Sequence, residues 1–172
     1  MAAMRNSAAG ALGAAANDPP GEVALVELLF FAYRDFVGEP DRILVKYGFG
    51  RAHHRVLHFV NRHPGLTVAE LLTILDITKQ SLARVLRDLV AGGFIEQRPG
   101  ADDRRQRLLH LSPAGGTLAR ELLALQTARV ARALSVVDPP ERRGIERFLV
   151  NLVDGELRGE IARLVRSVEE TP

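Results

Sequence analysis

The chain has 172 residues, 47% of them hydrophobic, with a formal net charge of +2 and no cysteine. That length and apolar content supply the core of one substantial domain, or of a small domain with added helices, and exclude disorder throughout. The lack of cysteine excludes disulfide staples, thiol redox sensing, cysteine nucleophiles and thiolate-bound metal, while the small net charge leaves an anionic partner to be decided by how the charges are distributed.

Residues 1–21, MAAMRNSAAGALGAAANDPPG, are small and low in complexity, without the strong apolar run of a secretory signal, and are expected to form a flexible tail. From Glu22 to Val37 apolar residues recur at Val23, Val26, Leu29, Phe30, Tyr33, Phe36 and Val37, the spacing of a helix. Leu25, Leu28 and Phe31 lie off that stripe, so the helix is apolar nearly all round and needs cover on several sides, for which a partner subunit is the natural source. Its greasiest part, Val23 to Tyr33, carries Glu27 and falls far short of about 20 apolar residues, so no membrane span is expected and the protein should be cytoplasmic. Gly38-Glu39-Pro40 is expected to break the helix, leaving a short second piece over Asp41 to Tyr47.

Arg51 to Arg62 reads as a helix, with Val56, Leu57, Phe59 and Val60 apolar, and is closed by His63-Pro64-Gly65. Thr67-Val68-Ala69-Glu70 fits a capping box that starts a short helix from Val68 to Leu75. Asp76-Ile77 makes a tight turn. Thr78 then caps a helix with Leu82, Val85, Leu86 and Leu89 on one stripe, ended by Gly92-Gly93. Two short amphipathic helices joined by such a turn form a helix-turn-helix. Phe94 to Gln97 and Arg107 to Leu111 have strand length, and Pro99-Gly100 is turn chemistry, which makes a hairpin and completes a winged helix. Ser112-Pro113 opens a long helix through Leu118, Leu122, Leu125, Val130 and Leu134. Asp138-Pro139-Pro140 opens a last one, carrying apolar residues from Ile145 to Val168 and weakened by Gly144, Gly155 and Gly159.

The expected fold is therefore mainly α with a small two- or three-stranded β wing. Residues 1–21 form the tail, 22–49 the N-terminal dimerisation helices, 50–112 the winged helix-turn-helix and 113–172 the C-terminal dimerisation helices.

The chemistry concentrates on two elements. With its apolar stripe turned inward, the helix after Thr78 presents Lys79, Gln80, Ser81, Ala83, Arg84 and Arg87. Those polar groups can donate to base edges or phosphates in a major groove, and small Ala83 permits close approach. At the hairpin tip, Arg104 and Arg105 suit the narrow, electronegative minor groove. Asp103 beside them would repel phosphate, so it is expected to brace an arginine, Arg105, in a fork-like pair. From Lys79 to Arg107 the basic residues exceed the acidic ones by three, more than in the whole chain. Each feature alone is an ordinary solvated face; in a helix-turn-helix with a basic wing they converge on double-stranded DNA.

Asp103-x-Arg105, five residues, then Leu111-Ser112 and soon Gly115, resembles the wing signature of the MarR family of winged-helix regulators, whose usual form ends in Leu-Thr. The stretch HHRVLHFVNRHPGLTVAELLTILDITKQSLARVLRDLVAGGFIEQR is similar to that family from its second main helix through the wing, and FGRAHHRVLHF is similar to its PetP-like branch. With the flanking helices the resemblance covers Glu22 to about Glu170. It implies a homodimer with interlocked terminal helices, each subunit placing one helix in the major groove and one wing in the minor groove of a palindrome. It further implies repression more often than activation, and a cleft where a small-molecule effector acts.

Two features depart from the family. Gly38-Glu39-Pro40 interrupts a first helix that is often more continuous. His53-His54 stands where relatives often carry a glutamine and an aromatic residue, so that His53, His54 and Tyr33 become candidates for an effector cleft. His54 and His58 also have the i, i+4 spacing of a metal pair or a haem ligand, against which stands a plain role in interface hydrogen bonding. No carboxylate or cysteine completes a ligand set nearby in sequence, and no resident cofactor is expected. Two other functions compete: a protein-interaction platform built on the same winged helix, and an enzyme. For the latter there is no nucleophile elbow, phosphate loop or metal-hydrolase helix motif.

Overall fold

The protein is represented by a computed structural model that describes residues 20–100 and 103–166. Nearly all of the expected tail, together with Asp102 and Val168, lies outside the described residues. The chain divides between Asp35 and Phe36 into two compact units. In chain order the elements are α1 (Glu22–Leu44), a 3-10 turn (Val45–Tyr47), α2 (Arg51–Arg62), β1 (Leu66–Thr67), α3 (Val68–Leu75), α4 (Lys79–Ala91), β2 (Ile95–Pro99), β3 (Arg107–Leu111), α5 (Pro113–Leu134), α6 (Pro139–Leu152) and α7 (Gly155–Arg166). None of the described helices is long and apolar enough to cross a membrane.

The break expected at Gly38-Glu39-Pro40 is absent, and α1 runs through it. Pro40 offers no amide hydrogen to the Phe36 carbonyl, a defect costing about 3 kcal/mol inside a helix. Val37, Pro40 and Leu44, however, fall on one stripe and all are buried. Burial of the valine and leucine side chains contributes about 1.5–3 kcal/mol each, enough to keep the turn helical. The last helix departs in the opposite sense, dividing at Val153, whose backbone is extended (ψ 141°). The Asp154 carbonyl accepts from the amides of Leu157 and Arg158 and restarts the helix, while the Arg158 guanidinium donates to the carbonyls of Asn151 and Val153 left over from α6. Gly155 and Gly159 lower the helix propensity of this region, and these local partners satisfy the backbone at the break.

The helix-turn-helix follows from local chemistry. The Thr67 hydroxyl accepts from the Glu70 amide at 3.2 Å and donates to the Glu70 carboxylate at 2.7 Å, and that carboxylate takes the Thr67 amide at 2.8 Å. The box fixes the first turn of α3. Asp76 closes the helix in a left-handed conformation (φ 47°), which aspartate tolerates better than most residues. The Thr78 hydroxyl accepts from the Ser81 amide at 3.2 Å and starts α4. Thr67→Ala is expected to cost about 1 kcal/mol, read as a melting temperature lower by about 3 °C, with α4 unaffected.

The wing is part of an antiparallel three-stranded sheet in the order β1-β3-β2, with Leu66 opposite Leu109 and Ile95 opposite Leu111. Pro99 is tolerated because β2 is an edge strand. Leu57 and Val60 of α2, Leu71 and Leu75 of α3, Leu82 and Leu89 of α4, Leu109 of β3 and Leu122 of α5 are almost fully buried in one cluster. That shared core fixes α4 and the wing to one body.

Candidate nucleic-acid interface

With Leu82, Val85, Leu86 and Leu89 buried, α4 turns Lys79, Gln80, Ser81, Arg84 and Arg87 to the exposed side. The Ser81 hydroxyl accepts from Thr78 at 2.8 Å, which leaves its own proton available to donate. Between α4 and β2 lies an open groove of about 450 Å³, floored by Val68, Ala83, Leu86 and Val90 and rimmed by Lys79, Arg87 and Gln97. A cationic rim around an apolar floor is more than a solvated face: it offers phosphate contacts beside a surface for thymine methyl groups. Gln97 and Val90 were not singled out in the sequence, because membership of this groove depends on how β2 crosses α4.

At the wing tip the Gly100 amide donates to the Gln106 carbonyl at 3.1 Å and the Gln106 amide to the Asp103 carbonyl at 3.0 Å. The Asp103 carboxylate accepts from the backbone amide of Arg105 at 2.9 Å. This corrects the expected fork-like pair: a short side chain two residues away reaches the amide more readily than the end of a long guanidinium, in the manner of an Asx turn. Asp103 shapes the loop and leaves both arginines exposed. Among the described residues, none of Arg84, Arg87, Arg104 and Arg105 spends its guanidinium on an ion pair. Arg98 differs, pairing with Glu96 at 2.9 Å.

Known proteins are similar to this chain in sequence and in fold. Residues 47–106 match the MarR family. The transcriptional regulator PetP of Rhodobacter capsulatus is 47% identical over 133 residues, covering 77% of this chain and 80% of that protein. The chain belongs to the MarR family. A transcriptional repressor of Mycobacterium tuberculosis is 30% identical over 96 residues, covering 56% of this chain and 69% of that one. Among solved structures, that of MarR is 24% identical, covers 88% of this chain and 96% of its own, and has a TM-score of 0.58. A MarR regulator from Methanosarcina mazei Go1 is 20% identical, covers 80% and 92%, and has a TM-score of 0.61. The winged-helix fold and a role in transcription regulation are thus those of the MarR family.

The other candidate residues of this MarR-family regulator divide between the two units, Tyr33 in the first and His53, His54 and His58 in the second. Tyr33 stands on the exposed N-terminal stretch of α1. His54 is buried in α2, whereas the neighbouring His53 ring stacks on Phe49 with centroids 4.7 Å apart and lies 3.4 Å from the Asp88 carboxylate on α4. The two histidines therefore serve different surroundings. His54 and His58 share a helix, but among the described residues no group of three or more histidine, cysteine, aspartate or glutamate residues gathers to hold a metal ion. Burial depresses the affinity of both imidazoles for protons, against a smaller opposing pull of Asp41 on His54 and with added repulsion from His54, Arg62 and His63 on His58. The unfolded chain takes up those protons at higher pH than the fold does, so stability should fall as pH drops through 6.5. Replacing both residues with glutamine should flatten thermal melts recorded between pH 7.5 and 5.5.

Proposed function

We propose that the chain is a homodimeric repressor of palindromic operators, acting in the cytoplasm. In this reading α4 enters the major groove and Arg104 and Arg105 at the wing enter the flanking minor groove. The observation that carries it is the set of four exposed guanidinium groups, unpaired among the described residues, on two elements held by one core. The dimer is supported by apolar surface that a single protomer leaves open: Val23 and Phe30 of α1 are 75% and 70% exposed, and Leu149 and Leu152 of α6 are also exposed. Exposed apolar surface of this kind marks an association site. Repression is supported by the repressor among the relatives, and control by a small effector rests on family membership alone.

The test combines sedimentation of the free protein with gel retention of random-sequence duplexes as salt is raised. A dimer whose DNA binding weakens steeply with salt supports the proposal, because phosphate contacts release counterions. A monomer, or retention indifferent to salt, contradicts it and favours a protein-interaction platform.

A further inference from the structure

We propose that His53 is a positioning residue for DNA reading, tying the start of α2 and the root of the wing to Asp88 and thereby fixing how α4 presents Arg84. This rests on the DNA-binding assignment above. The imidazole is used on three sides. The Gly50 amide donates to Nδ1 at 3.1 Å, as a cap on the first turn of α2. An accepting Nδ1 carries a lone pair, so in the neutral ring the proton sits on Nε2. Nε2 lies 3.4 Å from Asp88 Oδ2 and is thereby the donor. The ring face stacks on Phe49, within 10° of parallel.

Phe49 extends the connection. It packs edge-on against Phe94 at 5.2 Å, and Tyr47 does the same at 5.4 Å. Phe94 immediately precedes β2, and its carbonyl accepts from the Ser112 amide at the base of β3. Wing root, α2 and α4 therefore meet through the chain Phe94, Phe49, His53 and Asp88.

On α4, Ser81, Arg84 and Asp88 follow at i, i+3 and i+7 and share one flank of the helix. The buried stripe holds α4 from behind, and the His53 link restrains it from the side, one turn beyond Arg84. The link has a second consequence. Asp88 is 44% exposed in its side chain, and a carboxylate on this flank would face phosphates; the Nε2–H holds it toward α2.

The test separates the two hydrogen bonds. A glutamine amide nitrogen falls close to where Nε2 lies, and an asparagine amide oxygen close to where Nδ1 lies. His53→Gln thus keeps the donor to Asp88, while His53→Asn keeps only the cap. Binding is measured to a duplex selected by the wild-type protein from a random pool and to a scrambled duplex of equal length. His53→Ala and His53→Asn should each lose about tenfold of the selected-over-scrambled preference, a modest effect in keeping with a long contact. His53→Gln should stay within about twofold of wild type. Imidazole ¹⁵N spectra should place the proton on Nε2 in the wild type and in Asp88→Ala alike, because the Gly50 amide fixes the tautomer, with the Nε2 resonance shifted once its acceptor is lost; a proton on Nδ1 in the wild type would overturn the link. A wild type that cannot tell the duplexes apart overturns the DNA-reading assignment, and the proposal with it. A wild type that discriminates while His53→Asn does so equally well, or His53→Gln fails like His53→Ala, overturns the positioning role alone.

Discussion

Gly115→Ala is expected to destabilise the protein by about 3 kcal/mol, lowering the melting temperature by roughly 10 °C. A methyl group at this position would overlap the Phe94 carbonyl oxygen, which is backbone and already engaged by the Ser112 amide at 3.1 Å. Alanine is the better helix former by about 1 kcal/mol, but the overlap outweighs that gain, because relieving it means moving the first turn of α5 or the root of the wing. Gly116→Ala is the control. Its methyl group would meet only the end of the flexible Arg120 side chain at 3.1 Å, so it should be neutral or stabilising by up to about 1 kcal/mol. Equal losses in both variants would show that helix geometry, and not the Phe94 contact, sets the requirement.

The second large effect concerns binding. Arg84→Ala should weaken a selected operator about 100-fold, since a base-reading arginine contributes about 1–3 kcal/mol and a dimer uses it twice. It should also relax base preference at the position Arg84 reads. Arg105→Ala should weaken selected and random duplexes alike and make the dependence on salt shallower by about one counterion per half-site. Fluorescence anisotropy on both duplexes at several salt concentrations resolves the two patterns. If both variants bind as wild type does, α4 and the wing are not the DNA-contacting elements.

For α3, β3 and the start of α5, short-range signals gave boundaries that match the structure to the residue, whereas the first wing strand, expected over Phe94 to Gln97, runs from Ile95 to Pro99. The capping box at Thr67 and the turn at Asp76 delimit α3 as Val68–Leu75, and Ser112-Pro113 stops β3 and starts α5, because caps and prolines act within three or four residues. Longer-range effects were not legible. Pro40 stays inside α1 since it shares a buried stripe with Val37 and Leu44, the last of which joins the core cluster, and no local rule about proline contains that burial. The third strand consists of only Leu66 and Thr67, made by pairing with Leu109 and Leu108. The wing arginines were visible as a charge run, but the partner of Asp103 depended on loop geometry. His53 carried a local hint in its place three residues after Gly50, whereas its approach to Asp88, 35 residues away, had none.

The most direct measurement is selection of bound sequences from a random DNA pool by the purified full-length protein, followed by alignment of the enriched sites. A paired clamp of α4 and wing predicts an inverted repeat whose half-site centres lie one helical turn, about 10 base pairs, apart. Enrichment of a single unrepeated site, or no enrichment above the starting pool, would contradict it.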